Sequence, residues 1–562
     1  MFRRIAHRLS RISFPQLLTL LCVLAVFIIA LVLPLRSLLI KAFLDKSGEF
    51  AGFANYIKYF RTPSLSVSVW NTADISLVSS LFSVCFGFLY AYALTRTRIP
   101  IKAFFRYAAL IPIFIPSIVH ALALVYLFGK QGIVTGLGFQ IELYGRLGII
   151  ISEFIYTFPQ VFLLFYVALE FADGRIYEAA ESMGVPAVKI FFRVTVPEIK
   201  YTVVNAFFVC FTLAFTDFGA PKVIGGSYNV LATDIYKQVA GQFNMNMGAV
   251  VSTLLLLPAV ASFAVGRLIN NRNSGTISAK STILAIKKNP LRDAVFFAVC
   301  ASIAVLFLTL IAALFIGALT TYYPYDLSFT LKHFSFNPSS GGIESYFNSL
   351  RMSALTAAFG TAFVFVYAYM LEKSSGLARL KKLGKLLSAL PLALPGMVIG
   401  LSFIFFFNSK TNPLNFIYGT MAILVLSNIV HYFSVPYITA VSALKKLDRE
   451  FESVSESMGV PRRKTFLRVS VPMSMPAILE IFMYYFVNSM VTVSAVVFLY
   501  SAKLKIASIA ISHMEESGDI AQAAAMSLLI LVINVLVRLL YEASVRCVKK
   551  RMKKKGKTHE QN

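Results

Sequence analysis

The chain has 562 residues, 57% of them hydrophobic and only 14% charged, whereas soluble domains carry about a quarter charged residues. This composition excludes an ordinary water-soluble domain and places most of the chain in lipid. The net charge of +27 would suit nucleic acid only on a solvated basic face; here Lys and Arg fill short loops between apolar runs, where they set membrane orientation, and no nucleic-acid partner is expected.

In chain order, the basic stretch Met1–Arg11 precedes the apolar run Leu17–Ile40. That run exceeds the roughly 7–15 residues of a signal-peptide core and reads as a retained first span. Apolar runs of about 20 residues, enough to cross roughly 30 Å of hydrocarbon, recur twelve times: 16–40, 73–95, 107–128, 147–170, 201–218, 248–266, 294–318, 352–371, 387–408, 416–441, 476–500 and 521–541. Pro391 and Pro395 interrupt the ninth. The expected fold is an all-α polytopic membrane protein of about twelve transmembrane helices. With both termini cytoplasmic, the internal segments hold 38 Lys and Arg and the external ones 13, as the positive-inside rule requires. Cys22, Cys85, Cys210, Cys300 and Cys547 stand at no metal spacing, so neither a metal site nor a disulfide framework is expected.

Self-comparison exposes a duplication. Residues 178–197, EAAESMGVPAVKIFFRVTVP, and 453–472, SVSESMGVPRRKTFLRVSVP, agree at twelve of twenty positions with an offset of 275. Tyr90-Ala91-Tyr92 recurs as Tyr367-Ala368-Tyr369, and Ile111-Pro112 with Pro116 recurs as Leu390-Pro391 with Pro395. The chain thus divides into a first half, 1–266, a cytoplasmic linker, 267–292, a second half, 293–545, and a basic tail, 546–562. Two like halves of six spans keep the same orientation and are expected to share a pseudo-twofold along the membrane normal, with a pathway at their interface.

The repeated segment falls in a cytoplasmic loop, which suggests a partner that is itself repeated. Its residues suit a helix, a tight turn and a second helix. Glu178, Ala179 and Ala180 favour helix, and Gly184 can supply a left-handed cap. Lys189 and Arg193 share a face, and Pro197 marks entry into the next span. Gly459, Pro461, Lys464, Arg468 and Pro472 hold the equivalent places.

This loop resembles the EAA loop of ABC import permeases. The first copy carries its pattern as Glu178, Ala179, Ala180, Gly184, Val194, Val196 and Pro197; the second carries Gly459, Val469, Val471 and Pro472 but has Ser453-Val454-Ser455 in place of Glu-Ala-Ala. Glu452 or Glu456 is available to replace the missing acid. The resemblance implies a permease subunit of the bacterial cytoplasmic (inner) membrane. It also implies coupling helices that dock two copies of a separate ABC ATPase, and an extracytoplasmic solute-binding protein that delivers a small solute. Fused permeases of this length resemble the ferric-iron branch, with thiamine and 2-aminoethylphosphonate relatives. That narrower likeness rests on Phe215-Thr216-Asp217-Phe218-Gly219, Asn229-Val230-Leu231-Ala232-Thr233, Val491-Thr492-Val493-Ser494-Ala495 and Phe498-Leu499-Tyr500.

A P-loop requires Gly, four residues, then Gly-Lys-Ser/Thr. Gly556-Lys557-Thr558 has Arg551 where the first Gly belongs, so ATP is used by the partner and no cofactor is expected on this chain. No catalytic constellation is present, which argues against a polytopic enzyme. A twelve-span secondary transporter would share the two-half layout but has no reason to repeat a cytoplasmic loop. Ionisable groups within spans are functional candidates because their desolvation is costly. Glu153, its repeat counterpart Asn428, Asp217 and Thr492 are the candidate pathway residues; His120, His431 and Glu480 are further embedded polar groups.

The orientation is testable. Single cysteines at Lys189 and Lys464 should react with a membrane-impermeant thiol reagent only after the inner membrane is opened. Cysteines in the 319–345 loop should react in intact cells whose outer membrane has been permeabilised. The opposite pattern overturns the topology.

Overall fold

The computed structural model describes residues 14–560 apart from 140, 273–285, 287, 375–376 and 449. Met1–Arg11 and much of the linker 267–292 therefore lie outside the described residues. Among the described residues, nine helices are long and apolar enough to cross a membrane, and three bent pairs raise the number to twelve. They are α1 (Pro15–Ala42), α2 (Pro63–Arg96), α3 (Ser117–Gly136), α4 (Arg146–Glu170), α5 (Ala187–Thr216), α6 (Met245–Gly266), α7 (Pro290–Leu319) and α8 (Pro338–Lys373). The bent pairs are α9 (Ala378–Ala393 with Gly396–Phe407), α10 (Met421–His431 with Ser434–Lys445) and α11 (Arg462–Met473 with Met475–Val491), and α12 (Ile520–Val548) follows. A two-stranded hairpin, β1 (Thr320–Tyr322) and β2 (Asp326–Phe329), joins α7 to α8.

Each apolar run corresponds to one of these helices, but prolines move several boundaries. The third span opens at Ser117 rather than 107, because Pro112 and Pro116 divide it into the helix Lys102–Ala108, the tight turn Ile111–Phe114, and α3. The ninth is built the same way around Pro391 and Pro395 and bends by 112°. The fifth begins at Ala187, not 201, so the second helix of the repeated loop runs unbroken into α5. Its counterpart α11 bends by 76° at Ser474, where the second half has Pro476 and the first has Tyr201.

The described chain forms two compact units. One comprises Phe43–Phe336 and Ile511–Leu528; the other comprises the described part of Met1–Ala42 with Asn337–Ala510 and Leu529–Asn562. In the first unit α2 lies along α4. A Cβ at Gly87 would come 2.8 Å from Val161, the Ser83 and Thr157 hydroxyls are 2.7 Å apart, and Tyr90 meets Phe158 and Phe162 edge to face at 5.5 and 5.3 Å. Phe307 of α7 meets this cluster edge to face, 5.2 Å from Phe158. In the second unit Gly360 of α8 lies beneath the Tyr485 ring of α11, and Phe27 of α1 packs on Tyr367 and Phe433. The first unit thus takes α7 and residues 511–528 from the second sequence repeat, and the second unit takes α1 from the first repeat.

Matching bonds mark the duplication within each unit. Tyr90 donates to the Phe105 carbonyl and Tyr367 to the Gly384 carbonyl, both at 2.7 Å. Residues Ile101 and Leu377, which precede these amphipathic helices, both have positive φ, 48° and 53°. Leu231 N–H donates to Thr72 Oγ1 at 2.9 Å, and Ala507 N–H to Ser349 Oγ at 2.7 Å. Where α3 meets the segment after α5, a methyl group at Gly219 would overlap Ser117 Oγ; where α9 meets the segment after α11, a methyl group at Gly396 would overlap Ser494 Oγ. One Ser and one Gly fill the same space in both units, in opposite order.

The repeated loops are held to the spans by different chemistry. In the first, Arg96 at the end of α2 lies 4.8 Å over the Tyr177 ring, a favourable cation–π geometry. The Tyr177 hydroxyl donates to Thr195 Oγ1 and Glu198 Oε2 at 3.2 and 3.1 Å. In the second, Lys373 ends α8 and pairs with Glu452 at 3.2 Å, the two side chains being 4% and 12% exposed. Lys373 also donates to the Leu447 carbonyl.

Removing one partner of a buried ion pair strands the other charge, whereas replacing both is close to neutral. Glu452→Ala should therefore cost about 3 kcal/mol, read as a lowered Tm of the purified protein, and the double variant K373M/E452L should recover most of the loss. Equal destabilisation by the single and double variants would show that the pair does not anchor the loop.

Candidate coupling loops and pathway residues

The first loop is the helix Gly174–Ser182, capped by Asp173, whose carboxylate accepts from Arg175 N–H. It ends at Gly184 with φ 71°. Gly184 N–H donates to the Glu181 carbonyl at 2.9 Å and Val185 N–H to the Ala180 carbonyl at 3.1 Å, the paired bonds of a Schellman cap. The second loop repeats the geometry: helix Glu450–Ser457, Gly459 at φ 67°, and Val460 N–H donating to the Ser455 carbonyl at 2.8 Å. Nothing lies within 4 Å of where a Cβ would stand at either glycine. Backbone conformation, not crowding, selects Gly here.

Beyond Pro186 and Pro461 each chain re-enters helix and then widens by one residue per turn, over Phe191–Thr195 and Phe466–Ser470. Pro197 and Pro472 follow directly. A proline has no N–H for the carbonyl four residues back and its ring crowds that carbonyl; the widened turn relieves both and keeps the helix continuous. Of the acidic motif, Glu178 and Ala179 are exposed, while Ala180 packs inward with Ala172, Tyr177 and Ile190. Pro197 and Pro472 are exposed. Glu452 is committed to Lys373; the Glu456 side chain lies outside the described residues.

Both loops display large apolar side chains around the turn. Met183 and Met458 are 74% and 73% exposed, and Phe192 and Leu467 are 64% and 63% exposed. Sequence reasoning named the glycine and prolines of this motif but not these residues. The signal was a methionine beside the turning glycine in a water-facing loop, present in both copies. Arg96–Tyr177 and Lys373–Glu452 were also missed; aligning span ends at an offset of 277 and loops at 275 pairs Arg96 with Lys373 and Tyr177 with Glu452.

The embedded polar candidates fall into two groups, one in each compact unit. Glu153, about two turns into α4, is fully buried with no hydrogen-bond donor at either carboxylate oxygen. Asp217 is its electrostatic neighbour. Asp217 itself accepts from Ser117 Oγ at 2.7 Å and from Ala220 N–H at 3.0 Å, so it fastens the segment after α5 to the start of α3. Asn428 of α10 is fully buried and directs its amide N–H at Met352 Sδ, 3.3 Å away. The adjacent Ser427 donates to the Ala495 carbonyl at 2.9 Å, and the Thr492 carbonyl accepts from Ser508 Oγ. The fourth and fifth spans of each repeat are thus brought together around these residues. Among the described residues, no group of three or more His, Cys, Asp or Glu is placed to hold a metal ion.

Residues 83–321 and 366–550 match the family model described as binding-protein-dependent transport system inner membrane component. The two matched segments, one for each repeat, cover most of the chain. Among similar proteins, the ferric transport system permease protein FbpB of Actinobacillus pleuropneumoniae is 28% identical over 494 residues, spanning 85% of this chain and 70% of that protein. The Fe(3+)-transport system permease protein FbpB 2 of Haemophilus influenzae is 24% identical over 479 residues, spanning 84% and 88%. The spermidine/putrescine transport system permease protein PotC homolog of Mycoplasma genitalium is 28% identical over 177 residues, spanning only 32% of this chain and 59% of that protein. The match decides against a secondary transporter and against an enzyme, because the family is the solute-conducting component of a transport system. The chain belongs to the binding-protein-dependent inner membrane component family and is a fused, two-repeat ABC importer permease.

Proposed function

We propose that this chain is the permease of a bacterial ferric-iron importer, seated in the inner membrane with both termini cytoplasmic. The ferric assignment rests on the relatives whose names carry it matching across both repeats, whereas the polyamine relative matches about one. The halves 1–266 and 293–545, joined by the linker 267–292 and followed by the basic tail 546–562, each dock one copy of an ABC ATPase, and an extracytoplasmic binding protein delivers the ion at the opposite face. The observation that carries the coupling role is the paired loop geometry: two left-handed glycine caps with matched exposed methionines, in a segment whose charge context is cytoplasmic.

Within this scheme Glu178, Ala179, Ala180, Gly184 and Pro197 shape the first docking helix, and Glu456, Gly459 and Pro472 the second. Ser453 stands where the first loop has Glu178 and Glu452 is held by Lys373, so the second loop lacks an acid at the leading position of the motif. Gly184→Asp and Gly459→Asp each force a side chain into positive φ, at a cost of roughly 1 kcal/mol or more, and add charge to the docking face. Both should lower ATP-driven uptake while protein levels stay normal, with Gly184→Asp the more severe. Unchanged uptake in both would remove the loops from the coupling mechanism.

Glu153, Asp217, Asn428 and Thr492 are assigned to the substrate pathway. Glu153 is a fully buried carboxyl beside a second one, Asp217, and hard carboxylate oxygens suit a hard cation such as ferric ion. Glu153→Gln keeps shape while removing charge. Uptake of ferric ion supplied on its binding protein should fall severalfold, with ATPase assembly and Tm preserved. Wild-type uptake over a wide substrate range would strike Glu153 from the pathway.

A further inference from the structure

The connection between α1 and α2 contains a short helix, Ala54–Arg61, that is amphipathic in the inverse sense. Its uncharged polar groups face the protein. Asn55 donates to the Leu44 carbonyl at 2.8 Å, Tyr56 bonds Thr253 Oγ1 at 2.9 Å, and the buried Tyr59 donates to the Leu65 carbonyl at 2.7 Å. Its outward face is the apolar stripe Phe53, Ile57 and Phe60, spaced four and three apart and each more than half exposed. A helix bordered by water would carry the reverse pattern. On α2 the stripe continues through Trp70, the one tryptophan of the chain and 77% exposed, to the exposed Leu77 and Leu81. α2 is a membrane span, so the short helix leads directly into a helix whose exposed apolar side chains meet lipid.

Charge points to the same partner. Lys58 and Arg61 are exposed beside the stripe, and no acidic residue occurs between Phe50 and Ala73. Basic side chains flanking an apolar helical face meet phospholipid phosphates while their stems cover hydrocarbon. Aromatic rings, Trp above all, concentrate at the same level of the bilayer.

We propose that Ala54–Arg61 is an interfacial helix lying in the bilayer surface. Phe53, Ile57 and Phe60 enter the boundary of the acyl region, Lys58 and Arg61 bind phospholipid phosphates, and Trp70 marks the depth of the interface. The helix holds α2 and α6 at a set height, because it leads into α2 and is bonded to α6 through Tyr56 and Thr253. Which leaflet it occupies rests on the topology proposed above.

The sole tryptophan makes the test direct. The full-length protein is placed in nanodiscs of one phospholipid, so that the result does not depend on which leaflet is involved. Trp70 emission should fall on the order of twofold when the lipid is brominated near the headgroup end of its acyl chains. It should fall less when bromine lies near the methyl end, and aqueous iodide should have little effect. A W70F/I57W variant moves the probe onto the helix itself and should give the same order of quenching. Strong iodide quenching at position 57 with no response there to brominated lipid, whatever Trp70 shows, would overturn the proposal and leave the stripe open to water and to a protein partner.

Discussion

The hydrocarbon interior offers no hydrogen-bond partner, and every peculiarity of the spans answers to that constraint. On α2, Thr72, Ser76, Ser79 and Ser80 are buried, and each hydroxyl donates to a carbonyl one turn back within the same helix. The helix absorbs its own polar side chains. Where prolines break a span, neighbouring groups take over the freed backbone. At the break in α9, Leu392 N–H donates to Ser434 Oγ, and that hydroxyl donates in turn to the Ser388 carbonyl. In the first repeat Ser117, just past the break, donates to Asp217. Several buried polar atoms are exceptions, among them both carboxylate oxygens of Glu153, whose neighbour is the second carboxyl Asp217.

The two repeats meet one set of demands with different residues. A cation at the end of the second span of each repeat holds the adjoining loop, but Arg96 does so over an aromatic face and Lys373 through a carboxylate. A planar guanidinium suits stacking and a compact ammonium suits an ion pair, so each partner suits its cation. The Ser117–Gly219 and Gly396–Ser494 contacts are similarly exchanged. The divergence extends to mechanics. The first loop runs without a bend into α5, while Pro476 puts a 76° bend between the second loop and the body of α11. Force applied at the first loop passes along one continuous helix, whereas at the second it passes through a hinge.

Much of this architecture was legible in the chain. Twelve apolar runs, a basic bias on alternate connections and a twelve-in-twenty repeat define a duplicated polytopic permease, because span length and polarity are dictated by bilayer thickness and solvation, which act on composition alone. The glycine caps were legible for the same kind of reason: a left-handed turn is a local property, and Gly is the residue it selects. Pro476 was visible as well, although its consequence needed a comparison with Tyr201. Tertiary structure alone decided which span joins which unit, since α1 and α7 are apolar all round and their composition names no neighbour. It alone showed that Glu452 is tied to Lys373, 79 positions away in sequence, and that Glu153 has no donor while Asp217 has two. It alone revealed that the helix Ala54–Arg61 turns its uncharged polar groups inward. Pairing, burial and the facing of a short helix depend on residues distant in sequence, and local pattern carries no record of them.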